Sequence, residues 1–215
     1  MKNLIIKEFK LSLHPTTFIF LSFAAMLLIP GYPYLVSYFY MCMSIFFICL
    51  TARETKDADF TVLLPVRKRD CVKARIFTAS AMEAGQVILS VPFIAIKSAL
   101  MPLPNPVGMD ANTALLGFAL AFFGIFNYFF FTSYYKNIAK VGKPFLWGSI
   151  GISVFTILVE VLTHAVPFMR DVIDTPDPQN IGYKLIFLAA GIIAFVGLTA
   201  LAYQKSARSF EKQDL

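Results

Sequence analysis

Between Thr16 and Leu50 the chain runs for 35 residues without an Asp, Glu, Lys, Arg or His. About 20 apolar residues carry a helix across a bilayer core of roughly 30 Å. At about 1.5 Å per residue this run would reach roughly 52 Å, too long for one crossing. It also contains its own break, because Pro30 and Pro33 remove backbone donors and Gly31 permits a sharp turn. The run is therefore expected to form two membrane helices joined by a tight hairpin.

The rest of the chain extends that reading. Hydrophobic residues make up 58% of the 215 and charged residues 15%, against about 25% charged in soluble domains. Six apolar segments follow one another at about 16–30, 34–52, 76–100, 113–135, 146–167 and 182–203. The expected fold is an all-α integral membrane protein, a single transmembrane domain over 1–215 with six transmembrane helices. The first segment is short for a full crossing and calls for thinned lipid or an interfacial start. Ahead of it, residues 1–14 place Leu4, Ile5, Phe9 and Leu13 on one helical face and Lys7 and Lys10 away from it. That pattern is an N-terminal amphipathic interfacial helix. Lys2, Lys7 and Lys10 ahead of an apolar stretch resemble a signal peptide, but no small-x-small cleavage site follows, so the segment is expected to be retained.

Basic residues set the orientation. Sixteen of the nineteen lie in the N-terminal arm, the 53–75 loop, the 136–143 loop and the 204–215 tail, leaving Lys97, Arg170 and Lys184 on the other side. The positive-inside rule then puts both termini in the cytoplasm, along with the 53–75 loop. It also accounts for the net charge of +6 without nucleic acid as a partner. The opposite loops are short and proline-rich, with Asp110, Asp171, Asp174 and Asp177 nearby, and build no external domain. Cys42, Cys49 and Cys71 show neither a paired framework nor a CxxC metal spacing.

The 53–75 loop is the longest polar segment and mixes seven basic with four acidic residues. Thr55 or Asp57 is placed to cap a short helix, Phe60, Leu63 and Leu64 form an apolar ridge on it, and Pro65 ends it. Such a helix suits docking of a soluble partner, or alternatively attachment to anionic lipid. Four ionisable or amide groups stand inside apolar segments. Glu83 and Gln86 are one turn apart, and Glu160 and His164 share a face at i,i+4. Such groups are costly in lipid and face a bundle interior or water. They are candidates for a translocation path, and two ligands are too few for a metal. The aromatic stretch 127–135 is expected to form an interfacial belt, with an apolar wall for an amphipathic substrate as the other reading.

The order Glu54, Leu64-Pro65-Val66, Arg67-Lys68-Arg69, Val72 and Ala74-Arg75, leading into a membrane helix, resembles the membrane subunits of type 2 ABC exporters. More narrowly it resembles the small permeases that export phenol-soluble modulins and related amphipathic peptides. The resemblance implies a permease that dimerises with a second copy or paralogue and works by alternating access. It also implies that the 53–75 loop is the coupling element for a cytosolic ATPase, with contact roles at Glu54, Leu64, Pro65, Arg67 and Arg75. Gly142-Lys143-Pro144 lacks the GxxxxGK[ST] spacing that cradles phosphates, so the chain itself is not expected to be an enzyme. ATP and magnesium would sit on the partner, and no cofactor is expected here. The rival reading is a membrane immunity or sensor protein without a transport cycle.

Overall fold

The computed structural model describes residues 2–12, 15–63, 65–101 and 105–213, and among them every regular element is helical. Helix α1 spans Lys2–Lys7 and continues as a π-helical turn, Glu8–Ser12. Helix α2 spans Thr16–Ser22 and tightens into a 3-10 segment, Phe23–Leu28. Then come α3 (Leu35–Glu54), α4 (Asp57–Leu63), α5 (Lys68–Leu100), α6 (Thr113–Tyr134), α7 (Gly142–Ala165) and α8 (Ile181–Glu211).

Five of these, α3, α5, α6, α7 and α8, are long and apolar enough to cross a membrane. The expected first crossing is not one continuous helix. Its 7 α-helical and 6 3-10 residues rise together only about 22 Å at roughly 1.5 and 2.0 Å per residue. The hairpin lies where the prolines put it: Gly31 adopts φ +70°, a left-handed conformation that costs glycine little, and α3 starts at Leu35.

Helix α6 occupies the centre, packing against α8, α7, α5 and α3. The tightest seam is α6 against α8. A methyl group on Gly191 would stand 2.0 Å from the Gly117 carbonyl oxygen, and one on Gly117 would stand 2.4 Å from that of Phe187. Only hydrogen fits at these positions, which is how small residues let membrane helices approach backbone to backbone.

Three sequence expectations are corrected. The 53–75 segment is not loop throughout, because α5 begins at Lys68 and carries Arg75 within a helix. Thr55 does not cap α4: its hydroxyl donates to Thr51 O at 2.9 Å and closes the end of α3. The aromatic stretch is not a lipid-facing belt either. Phe130, Phe131, Tyr134 and Tyr135 are buried, with Phe130 stacked on Phe126 and on Tyr134. Their rings fill the space between α6 and its neighbours, and Phe129 alone of these phenylalanines is exposed.

Candidate functional site

Helix α4 is held by charge. Lys56 takes φ +50°, turning the chain sharply out of α3, and Asp57 opens α4. The Asp57 carboxylate accepts from Arg75 Nη2 at 2.6 Å and pairs with Lys7. Arg75 also grips Glu8 through Nε at 2.7 Å and Nη2 at 3.0 Å. Lys7 Nζ donates to Thr61 at 2.7 Å, and the Thr61 hydroxyl donates to Asp57 O at 2.6 Å. Two cations and two carboxylates therefore tie α1, α4 and the base of α5 together around a cavity of about 30 Å³ bordered by Tyr134 and Tyr135. Burial works to raise the Asp57 carboxyl, but Arg75 and Lys7 outweigh it and hold the group below its ordinary value. Removing one member of such a buried set leaves its partners uncompensated, at about 3–5 kcal/mol.

This arrangement revises the reading of the N-terminal arm. Lys7 does not lie on a free polar face: it is engaged with α4, and the buried side of the N-terminal arm carries Leu4 of α1 and Glu8 of the turn after it. Arg75 likewise faces inward, 8% exposed. On α4 two large apolar side chains stand outward, Phe60 at 62% and Leu63 at 84% exposure. Glu54, Pro65 and Arg67 are exposed around it, and Glu54 pairs with Arg53 at 3.6 Å. Leu64 lies outside the described residues. The structure thus separates the expected coupling residues into an exposed group (Glu54, Phe60, Leu63, Pro65, Arg67) and one buried anchor, Arg75.

The inner face of α5 carries polar groups among apolar ones, with Arg75, Thr78, Glu83, Gln86, Ser90 and Lys97 buried alongside Val72, Ile76, Val87 and Ile94. Glu83 Oε2 accepts from Asn127 Nδ2 at 2.7 Å, and Asn127 reaches Thr199 of α8 at 3.2 Å. Gln86 Nε2 donates to Ser37 O at 3.1 Å and Phe20 O at 3.4 Å, while Ser90 accepts from Tyr38 at 3.1 Å. Glu83 and Gln86 therefore face the interior of this one chain, at 0% exposure.

At the opposite end the loops are stitched together by acids and amides. Lys97 pairs with Asp110 at 3.4 Å and stands over the Tyr34 ring at 4.4 Å. Asp110 Oδ1 also accepts from Asn105 N at 2.7 Å, and Asp174 accepts from Asp110 N at 2.6 Å. Lys184, fully buried, donates to Thr175 O, Pro176 O and Asp177. Glu160 joins by accepting from Met109 N at 3.1 Å, and the exposed His164 turns back to its own helix at Glu160 O. Glu160 and His164 thus belong to the loop-closing cluster rather than to the interior near Glu83. Burial, with Asp110 and Glu160 nearby, raises the Asp174 carboxyl to about 6. Among the described residues no group of three or more His, Cys, Asp or Glu is arranged to hold a metal ion.

Sequence reasoning missed Glu8, Asp57, Asn127, Asp110 and Lys184 as site members. Glu8 carried a signal, since it falls four residues after Leu4 on the apolar side of α1. Asn127 carried none, being one amide within an aromatic run.

No curated protein and no solved structure matches the chain. A family model does, that of the ABC-2 family transporter proteins, over residues 3–211. That match covers nearly the whole chain and takes in α1, the charge-anchored α4 and all five long apolar helices. The chain belongs to the ABC-2 transporter family, as a multi-pass cell-membrane permease of an ABC transporter whose ATPase is a separate component.

Proposed function

We propose that this permease is an exporter whose α4, with the flanking 53–75 segment, is the docking element for its cytosolic ATPase. The observation that carries the reading is the pairing of an outward apolar surface, Phe60 and Leu63, with an inward ionic anchor to α1 and α5. Exposed charge pairs contribute about 0–1 kcal/mol, whereas burying a Leu or Phe contributes roughly 1.5–3. The ridge is therefore the energetic part of the dock, and the exposed Glu54, Pro65 and Arg67 border it. Force applied to α4 by closure of an ATPase pair passes through Asp57 to Arg75 and so to α5, which contacts α6 and α8.

In this reading residues 1–215 form one transmembrane domain with six crossings, the short Thr16–Leu28 segment being the first, and both termini are cytoplasmic. Two copies, or the chain and a paralogue, form the transporter. The substrate is an amphipathic peptide or another hydrophobic molecule. An open apolar groove of about 360 Å³ between α3, α6 and α7, lined by Leu35, Phe39, Phe122 and Ile152, supports that class. Glu83 and Gln86 then belong to the moving interior of each copy, and Glu160 and His164 to the outer closure.

Reconstitution tests the reading. The permease and its candidate ATPase are placed in vesicles with a synthetic cationic amphipathic helix as the probe. ATP-dependent movement of the peptide, abolished by a hydrolysis-deficient ATPase, supports export. Failure of any ABC ATPase to co-purify with the permease favours the non-transporting immunity or sensor reading.

A further inference from the structure

Glu83 is a carboxyl group buried in the middle of the protein with too few hydrogen-bond donors. Oε2 receives the Asn127 amide at 2.7 Å, while Oε1 has no partner. Beside it, the carbonyl oxygen of Asn127 is also buried and unpartnered, although its Nδ2 serves both Glu83 and Thr199. Among the described residues, the elements packed here offer no compensating charge. Helix α3 brings the Cys42 thiol into electrostatic range, α6 brings neutral Asn127, α8 brings neutral Thr199, and the Phe23–Leu28 turn has no titratable residue. Arg75 and Lys97, on the same helix, are committed to Glu8 and Asp57 and to Asp110.

An ionised carboxylate accepts only, so here it would leave two oxygens orphaned and one charge unpaired. Burying such a charge is unfavourable even after the surroundings relax. A carboxylic acid and a carboxamide, in contrast, meet edge to edge with two complementary bonds, N–H to one oxygen and O–H to the other. One added hydrogen supplies the donor that both orphaned oxygens lack.

We infer that Glu83 and Asn127 form a proton-binding site, with the proton on Glu83 Oε1 and directed to Asn127 Oδ1. Thr199 fixes the amide from the α8 side, so the site fastens α5, α6 and α8 while they are packed as seen here. Its consequence for transport rests on the exporter reading: a conformation that admits water to this seam lets the carboxyl ionise, so proton occupancy favours the closed seam. The protein centre then carries no fixed negative charge, and Glu83 does not select cationic substrates in this state.

Infrared difference spectroscopy on the full-length permease in lipid nanodiscs at neutral pH tests the site, with Glu83→Gln and Asn127→Ala as variants. A protonated-carboxyl C=O band present in wild type and absent in Glu83→Gln, moved to higher frequency by Asn127→Ala, supports the site. Glu83→Gln, which keeps shape and neutrality, should also melt no lower than wild type, while Glu83→Ala melts several degrees lower. A wild-type minus Glu83→Gln difference confined to ionised-carboxylate bands overturns the proposal, as does a band that Asn127→Ala leaves in place. Should Glu83→Gln not be recovered folded, the Asn127→Ala shift decides alone. Loss of export in vesicles leaves these bands untouched, so failure of the exporter reading is told apart from failure of this one.

Discussion

The two ends of α5 each bury a cation, and they do so differently. Arg75 is shared between Glu8 and Asp57, which come from two separate short elements, the π-helical turn after α1 and helix α4. Lys97 meets a single carboxylate, Asp110, which is itself held by the backbone N–H of Asn105. One end is a joint between elements and leaves apolar side chains exposed next to it. The other is a stitched closure in which Asp174, Asp177, Asn112 and Lys184 bind backbone groups of neighbouring loops. A joint transmits displacement, and a stitched closure resists it. Under the proposed docking at α4, the difference would let one helix be driven at one end and held at the other.

Arg75→Ala gives the largest expected effect. It leaves the buried Glu8 carboxylate with only Lys7 at 3.7 Å and takes one of two cations from the partly buried Asp57, and should destabilise the protein by about 3–5 kcal/mol, read as a lowered melting temperature in detergent. Lys97→Ala should cost clearly less, because Asp110 keeps the Asn105 N–H. Equal losses from the two variants would break the comparison.

The stitched end predicts a pH effect with a definite sign. Asp174 is raised from 3.8 to about 6, so the folded protein holds that proton more tightly than the unfolded chain does. The contribution to stability is complete below 3.8 and is lost as the pH rises to about 6. Asp174→Asn should therefore melt higher than wild type at neutral pH, by about 2–4 °C per kcal/mol recovered, and match it in acid. A variant that melts lower at neutral pH would show that the carboxylate is favoured there.

Arg69 and Glu211 sharpen the contrast from the weak side. Both are exposed on the surface where α8 returns to the start of α5, and exposed pairs contribute about 0–1 kcal/mol. Arg69→Ala should leave melting and ATPase binding nearly unchanged. A loss comparable with that of Arg75→Ala would mean that surface charge, rather than the buried joint, governs this end.

Much of this architecture was readable from local pattern. The uncharged run with its Pro30–Pro33 break announced the hairpin, and apolar segments marked the five long helices to within a few residues at most ends. The start of α5 escaped because residues 68–75 are polar: a helix that continues into water keeps its backbone bonds while losing its apolar signal. The joint at Arg75 escaped for another reason. Glu8 and Arg75 are 67 positions apart, and no periodicity connects residues that meet only after the chain has folded. The loop was recognisable as a coupling candidate from Pro65 and the basic group after it, yet the inward turn of Arg75 and the outward turn of Leu63 depend on tertiary packing.

The most direct test of the central claim uses Leu63, 84% exposed on α4. Wild-type permease and Leu63→Asp are each solubilised, checked by size exclusion, and used to pull down the cognate ATPase. Burial of a leucine contributes roughly 1.5–3 kcal/mol, and about 1.4 kcal/mol is tenfold in affinity. An unchanged elution profile with ATPase retention reduced tenfold or more is the predicted result. Equal retention by the two proteins would contradict the assignment of α4 as the dock.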